Sequence, residues 1–160
     1  MFENIMFRPW RIIYLQQEKE TGCILCSIAK SENDAKNLVL MRSKYCLIML
    51  NRYPYNIGHL MVVPYQHLSN MGDLQEGEMI DIIKTVILSI DNLKAVFNPQ
   101  GFNLGVNIGK AAGVGIDNHI HFHIVPRWEG DTNFMPVISD IRVLGEALED
   151  TFRRLKGVFL

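Results

Sequence analysis

The chain has 160 residues, 48% of them hydrophobic, with 16 Lys+Arg against 17 Asp+Glu for a formal charge of -1. A chain of about this length hides roughly two-thirds of its unfolded surface on folding, so a single core needs no disulfide staples, and long disorder or a repeat array is not expected. Balanced charge argues against a nucleic-acid partner, because phosphate-backbone binders carry a basic excess, and apolar runs such as Tyr45 to Leu50 fall far short of the ~20 residues that cross a bilayer.

Residues 1–22 carry no periodic pattern and read as an N-terminal extension in which Trp10, Ile12, Ile13 and Leu15 can pack as a short strand or arm. Glu3, Arg8 and Arg11 interrupt any apolar secretion segment, so the expected compartment is the cytoplasm, where thiols stay reduced. Two of the three cysteines stand close together in Cys23-Ile24-Leu25-Cys26, and for such a pair a metal or redox role outranks a structural disulfide. Next, Asn37 to Met41 and Tyr45 to Leu50 read as strands, and Cys46 inside the second reads as core. The Pro, Asn and Gly content of Asn51 to Gly58 predicts a loop, after which His59 to Pro64 returns as the partner strand of a hairpin.

From Leu74 to Phe97 the apolar residues Met79, Ile80, Ile83, Val86, Ile87, Ile90, Leu93 and Phe97 recur at helical intervals until Asn98-Pro99-Gln100-Gly101 stops them. The expectation is one long helix whose apolar stripe is core. Phe102 to Ile108 and His119 to Val125 read as two more strands, joined by a glycine-bearing connection. In the tail, Ile141, Leu144, Leu148, Phe152 and Leu155 predict a second helix, opened by Ser139 or Asp140 and closed by Gly157. Hairpins dominate and no strand-helix-strand series appears, so the fold class is α+β with a mostly antiparallel sheet of about five strands. The main domain is placed at residues 23–135, with 136–160 as a helical tail packed on it.

The densest chemical signal is His119-Ile120-His121-Phe122-His123-Ile124-Val125-Pro126. On a strand this alternation sets three imidazoles on one face, about 6.6 to 7 Å apart, and Ile120, Phe122 and Ile124 on the other. One such histidine is commonly a half-buried polar residue, but a buried row of three costs stability unless each ring has a partner and a task. Upstream, Gly105-Val106-Asn107-Ile108-Gly109-Lys110-Ala111-Ala112-Gly113-Val114-Gly115 can turn backbone N–H groups toward an anion. It is not a Walker A loop, because the Gly105–Gly109 spacing is one residue short and Ala111 stands where Ser or Thr would hold magnesium.

These residues resemble the histidine triad family of nucleotide hydrolases and transferases, whose signature is His-φ-His-φ-His-φ-φ with φ apolar. His119 to Val125 fits every position, and Asn51 to Pro64, Asn107, Gly113 and Pro126-Arg127 fit the flanks. Asn51-Arg52 and Pro126-Arg127-Trp128 followed by Gly130 to Phe134 look like the branch acting on diadenosine polyphosphates, including phosphorylases. The resemblance implies a histidine-triad-like fold, a homodimer that joins two sheets, and a small-molecule nucleotide as partner. It implies that His121 attacks the α-phosphorus, that His123 and His59 hold phosphate oxygens and the surroundings of the attacking ring, that Asn51 meets the ribose, and that Asn107 and Gly113 line the phosphates. Gly115 falls near a position where many relatives carry Ser or Thr toward the leaving group, so backbone N–H or another side chain must assist there.

Closing a tetrahedral zinc site around Cys23 and Cys26 needs two more ligands, and the sequence offers His67 and His119; two thiolates with two imidazoles form a common structural zinc shell. Some members of the resembled family carry the same set. A redox role for the cysteine pair would prefer a thioredoxin-like βαβ context, which this pattern lacks. In an opposite arrangement, His119, His121 and His123 themselves hold a catalytic metal. Lys110 and Arg127 read as phosphate partners or as merely solvated cations, and Tyr53, Tyr55 and Trp128 as base-flanking or as packing and dimer contacts. The expected activity is cleavage of the α-phosphate linkage of a dinucleoside polyphosphate through a nucleotidyl-histidine intermediate. Its rivals are a nucleotide-binding signalling or interaction protein with little turnover, and a metal-dependent hydrolase using the triad as ligands.

Overall fold

A computed structural model describes residues 22–112, 119–131 and 144–159. Five strands form one antiparallel sheet: β1 (Val39–Arg42), β2 (Cys46–Leu50), β3 (Leu60–Pro64), β4 (Gly101–Val106) and β5 (Phe122–Arg127), ordered β1-β2-β3-β5-β4. The helices are α1 (Ile24–Lys30), the long α2 (Glu76–Phe97) and α3 (Leu148–Lys156). The long helix and the hairpins therefore stand where the sequence puts them, with ends shifted by a residue or two.

Strands β2 and β3 are buried along their whole length on both faces, which is why their sequences run almost without a polar residue. One face carries Ile48, Leu50, Leu60, Val62 and Ile124 into a core with Ile82, Val86 and Leu93 of α2 and Leu155 of α3. The opposite face carries Leu47, Met49, Met61 and Val63 under Leu25 and Ile28 of α1. Register places Met61 opposite His123, so the triad strand shows its histidine to the face that α1 only partly covers. Arg42 fastens α1 there by donating to the carbonyls of Ile28, Ala29 and Ser31 while pairing with Asp34.

Three expectations need correction. The eight apolar residues of α2 do not form one buried stripe: Met79, Ile80, Ile83 and Ile87 are exposed, and the sheet-facing side is Glu78, Ile82, Thr85, Val86, Ser89 and Leu93. The small Thr85 and Ser89 sit against the sheet with their hydroxyls engaged, Ser89 Oγ donating to the Thr85 carbonyl at 2.8 Å and the Cys46 thiol to Thr85 Oγ1. Glu78 is spent on a capping box with Gln75.

Second, β5 begins at Phe122 and not at His119. Residues 119–121 leave the ladder because Ile120 N–H donates to the Leu68 carbonyl at 2.6 Å, beyond the end of β3, and His119 Nε2 to the carbonyl of Pro64, its last residue, at 2.9 Å. Third, the tail helix starts at Leu148. Ala147 is extended, Leu144 lies before the helix, and Glu146 accepts from Thr151 Oγ1 and Arg154, holding the first turns from outside. Ser139, Asp140, Ile141 and the arm in residues 1–21 lie outside the described residues. No described helix is long and apolar enough to cross a membrane.

Candidate active site

Two histidine clusters meet at the start of β5. In the first, Cys23 is the residue at which α1 begins and Cys26 lies in its first turn, so a helix that the sequence reading did not foresee turns both sulfurs the same way. His67 follows β3 and His119 precedes β5, and the four ligand atoms lie within 4.8 Å of one another. Cys23 Sγ is 3.3 Å and Cys26 Sγ 3.4 Å from His119 Nδ1, and Cys26 Sγ is 3.3 Å from His67 Nδ1. A tetrahedral ion with bonds of about 2.3 Å to sulfur and 2.0–2.1 Å to nitrogen needs sulfur-to-nitrogen edges of roughly 3.5 Å, which these separations approach. His119 Nε2 faces a carbonyl and must therefore carry the proton, leaving Nδ1 as a lone pair toward the sulfurs. Burial and the adjacent Cys23 thiol push the Cys26 thiol up, the response of two sulfurs that resist ionising together without a cation between them. The donor chemistry and geometry fit zinc.

The second cluster is His121, His123, His59 and Asn51. His121 Nδ1 lies 2.9 Å from the His119 carbonyl and donates to it, which in the neutral ring places the lone pair on Nε2. His59 is fully buried; its Nδ1 accepts from the Tyr55 backbone N–H at 3.0 Å, and its Nε2 lies 2.9 Å from His123 Nδ1. With Nδ1 taken as an acceptor, His59 Nε2 carries the proton and donates to His123 Nδ1, which assigns the His123 proton to its own Nε2. Burial drives His59 down to about 3, assisted by His123 and His121, and drives His123 down to about 4, assisted by His121. Both rings are neutral at pH 7. The His121 and His123 rings meet edge-on at 4.7 Å between centroids, closer than a flat strand row would allow. In neutral rings, two adjoining and largely buried imidazoles thus carry a lone pair on one Nε2 and an N–H on the other.

Gly105 is paired with His123, and a Cβ there would meet nothing within 4 Å, so position 105 itself puts no side chain beside the strand partner. Asn51 Nδ2 stands 3.4 Å from both nitrogens of His59, while its Oδ1 accepts the Tyr53 N–H at 2.9 Å, an Asx turn that opens the 51–58 loop. Asn107 lies just beyond β4, whose last residue Val106 pairs with Phe122. Gly113 and Gly115 lie outside the described residues. The sequence-predicted residues thus fall into two groups, Cys23, Cys26, His67 and His119 in one and Asn51, His59, His121 and His123 in the other, joined by the His119 carbonyl.

Sequence reasoning missed the Tyr55 amide, the Asn56 side chain and Asp131. Asn56 and Asp131 lie inside stretches that carry the resemblance, but nothing in them marks either as a partner of the histidines, and the Tyr55 group is backbone. Arg127 forms a bidentate pair with Asp131 at 2.6 and 2.8 Å and donates to Asn103 at 2.7 Å, so its charge is committed within the fold. The Tyr55 ring lies 4.7 Å from His59 and 6.0 Å from His123, packing on histidines.

A family model described as "HIT domain" matches residues 32–130. An AP-4-A phosphorylase of Mycobacterium tuberculosis is 43% identical over 123 residues, covering 77% of this chain and 63% of that protein. An uncharacterised HIT-like protein of Methanocaldococcus jannaschii is 34% identical over 135 residues, covering 84% of this chain and 99% of that one. Among solved structures, a Zn-bound histidine triad family protein from Mycobacterium smegmatis superposes with a TM-score of 0.69 at 25% identity, over 86% of this chain and 93% of that one. This chain spans less than two-thirds of the phosphorylase's length, and nearly all of the archaeal protein's.

Proposed function

The chain belongs to the HIT domain family, and on that premise we propose that it cleaves the α-phosphate linkage of a dinucleoside polyphosphate of the diadenosine tetraphosphate type, through a nucleotide bound covalently to His121. The observation that carries this reading is geometric: His121 Nδ1 lies 2.9 Å from the His119 carbonyl and His123 Nδ1 lies 2.9 Å from His59 Nε2, partners that in neutral rings assign a lone pair to His121 Nε2 and an N–H to His123 Nε2. Nε2 of His121 attacks the α-phosphorus, and the bond from phosphorus to the bridging oxygen breaks, its electron pair leaving with the departing phosphate. The imidazole becomes a cation whose Nδ1–H already points at the His119 carbonyl, which stabilises the charge without rearrangement. A neutral His123 suits a hydrogen-bond donor to a phosphoryl oxygen, since giving up its only proton would leave an imidazolate. Water or inorganic phosphate then attacks phosphorus on the opposite side, and His121 leaves as the neutral ring.

In the same reading Asn51 meets the ribose, His59 orients His123, and Asn107, Gly113 and Gly115 line the phosphates. Zinc at Cys23, Cys26, His67 and His119 is structural: it would pin the start of α1 to the sheet and fix the carbonyl on which His121 depends. A catalytic metal held by the triad is disfavoured, because His119 Nδ1 faces the thiols and His121 Nδ1 faces a carbonyl. A homodimer is supported by β4, an edge strand that exposes Leu104, and a cytoplasmic address by thiols that metal binding requires reduced.

The test is intact-mass detection of one nucleoside monophosphate added to the wild type during turnover of diadenosine tetraphosphate and absent from His121→Ala. An adduct that persists in His121→Ala sinks the proposal. Products formed with and without phosphate then divide the two outcomes: ADP and ATP mark phosphorolysis, AMP and ATP asymmetric hydrolysis.

A further inference from the structure

The 51–58 loop delivers one backbone N–H, that of Tyr55, to the buried nitrogen of His59, and the next residue is tied down through its side-chain amide and its carbonyl. Asn56 Nδ2 donates to Asp131 Oδ2 at 2.9 Å and to the Pro126 carbonyl at 3.1 Å; its Oδ1 accepts the Ile57 N–H and its carbonyl the His59 N–H. Asp131 collects this donor together with Arg127 and the Trp128 N–H, and its side chain is nearly buried. The loop is therefore clamped to the far end of the triad strand, about four residues from His123, by a charge-assisted network.

We propose that Asn56 is a positioning residue of the reaction: through Asp131 and the Pro126 carbonyl it holds the Tyr55 amide on His59 Nδ1, and so decides which nitrogen of His59, and then of His123, carries the proton. The two neutral tautomers of imidazole are close in energy, so one fixed amide is enough to choose between them. With the amide in place, the relay reads Tyr55 N–H to His59 Nδ1, His59 Nε2–H to His123 Nδ1, and an N–H on His123 Nε2, the nitrogen that His59 does not engage. In the reversed relay two N–H groups confront each other at Tyr55 and His59, and His123 carries a lone pair on that nitrogen instead. Against an anionic phosphoryl oxygen that change replaces attraction with repulsion. The catalytic consequence rests on the function proposed above, whereas the tautomer assignment does not.

The experiment records ring nitrogen-15 shifts of His59 and His123 in the unliganded, metal-replete protein, for wild type, Asn56→Ala and Asp131→Asn, alongside turnover of diadenosine tetraphosphate. Wild type is expected to show both histidines as pure Nε2–H tautomers. Asn56→Ala is expected to populate Nδ1–H at both, with kcat/KM lowered ~10-fold or more, since one lost donor to developing charge costs about 10²–10³ when lost outright. Asp131→Asn moves both readouts the same way by less, and it carries the test if Asn56→Ala does not fold. Wild-type shifts retained in the folded variants overturn the proposal, whether or not the rate falls. Altered shifts in a protein whose wild type never turns the nucleotide over would uphold the positioning role and reject the substrate.

Discussion

Acid should unfold this protein earlier than its carboxylates alone would dictate, and the buried histidines set the size of the effect. A free histidine titrates near 6.5, whereas burial holds His59 down at about 3 and His123 at about 4. Because the native values lie below the unfolded one, the unfolded chain binds more protons throughout the interval. The stability these rings contribute is fully present above pH ~6.5 and is lost as pH falls toward 4 and 3. At pH 5 each unfolded histidine has gained about 2 kcal/mol from protonation while the native rings remain neutral, so the two together withdraw about 4 kcal/mol relative to neutral pH. That is a large share of the 5–15 kcal/mol typical of a domain. The figure depends on both native values lying well under 5 and not on where they lie, so the coupling between the rings does not enter. Urea melts at pH 7.5, 6.5, 5.5 and 5.0 on wild type and His123→Asn measure it, and loss of bound metal cancels in the difference between the two. The wild type should lose about 2 kcal/mol more than the variant over this interval. Equal losses in the two proteins, or a wild-type loss under about 1 kcal/mol, would mean that these rings are already charged inside the fold.

Three further outcomes are expected. Gly58 sits at φ +72 with its missing Cβ 3.0 Å from Leu93 Cδ2 and 3.4 Å from the Phe97 ring, so Gly58→Ala combines left-handed strain of about 1–2 kcal/mol with overpacking against α2. A urea midpoint lowered by about 2–3 kcal/mol at unchanged slope is the expected result, and a change within 0.5 kcal/mol would contradict it. Metal analysis should give one zinc per chain in wild type and little in Cys26→Ser, with a melting temperature lowered by roughly 10 °C or more, the shift expected for a loss of several kcal/mol. Metal-stripped protein should still form the His121 adduct for as long as far-UV circular dichroism shows it folded; an adduct lost while the fold persists would reassign the metal to the chemistry.

Which parts of this molecule can be read from its residues follows from where the deciding atoms lie. Apolar runs in Cys46–Leu50 and Leu60–Pro64 declare two buried strands, and Cys23-x-x-Cys26 declares a ligand pair, because side-chain identity alone carries both signals. The buried side of α2 is not declared, because Thr85, Ser89 and Glu78 are acceptable inside only through partners elsewhere in the chain, such as Gln75 and Cys46. The triad shows the same limit more sharply. Alternation along 119–125 makes the three histidines look equivalent, yet their ring nitrogens are engaged differently because three backbone groups differ. The Pro64 carbonyl takes the His119 Nε2 proton and frees Nδ1 for the thiols. The His119 carbonyl accepts from His121 Nδ1, which in the neutral ring leaves the lone pair on Nε2. The Tyr55 amide, acting through His59, leaves the His123 proton on Nε2. A carbonyl or an amide is the same at every position whatever residue bears it, so no spacing rule in the sequence records these choices. In the proposed function, ligand, attacking group and donor are assigned by where the main chain passes, and a substitution that moves the main chain at residue 56 or 68 should disturb the chemistry without touching a histidine.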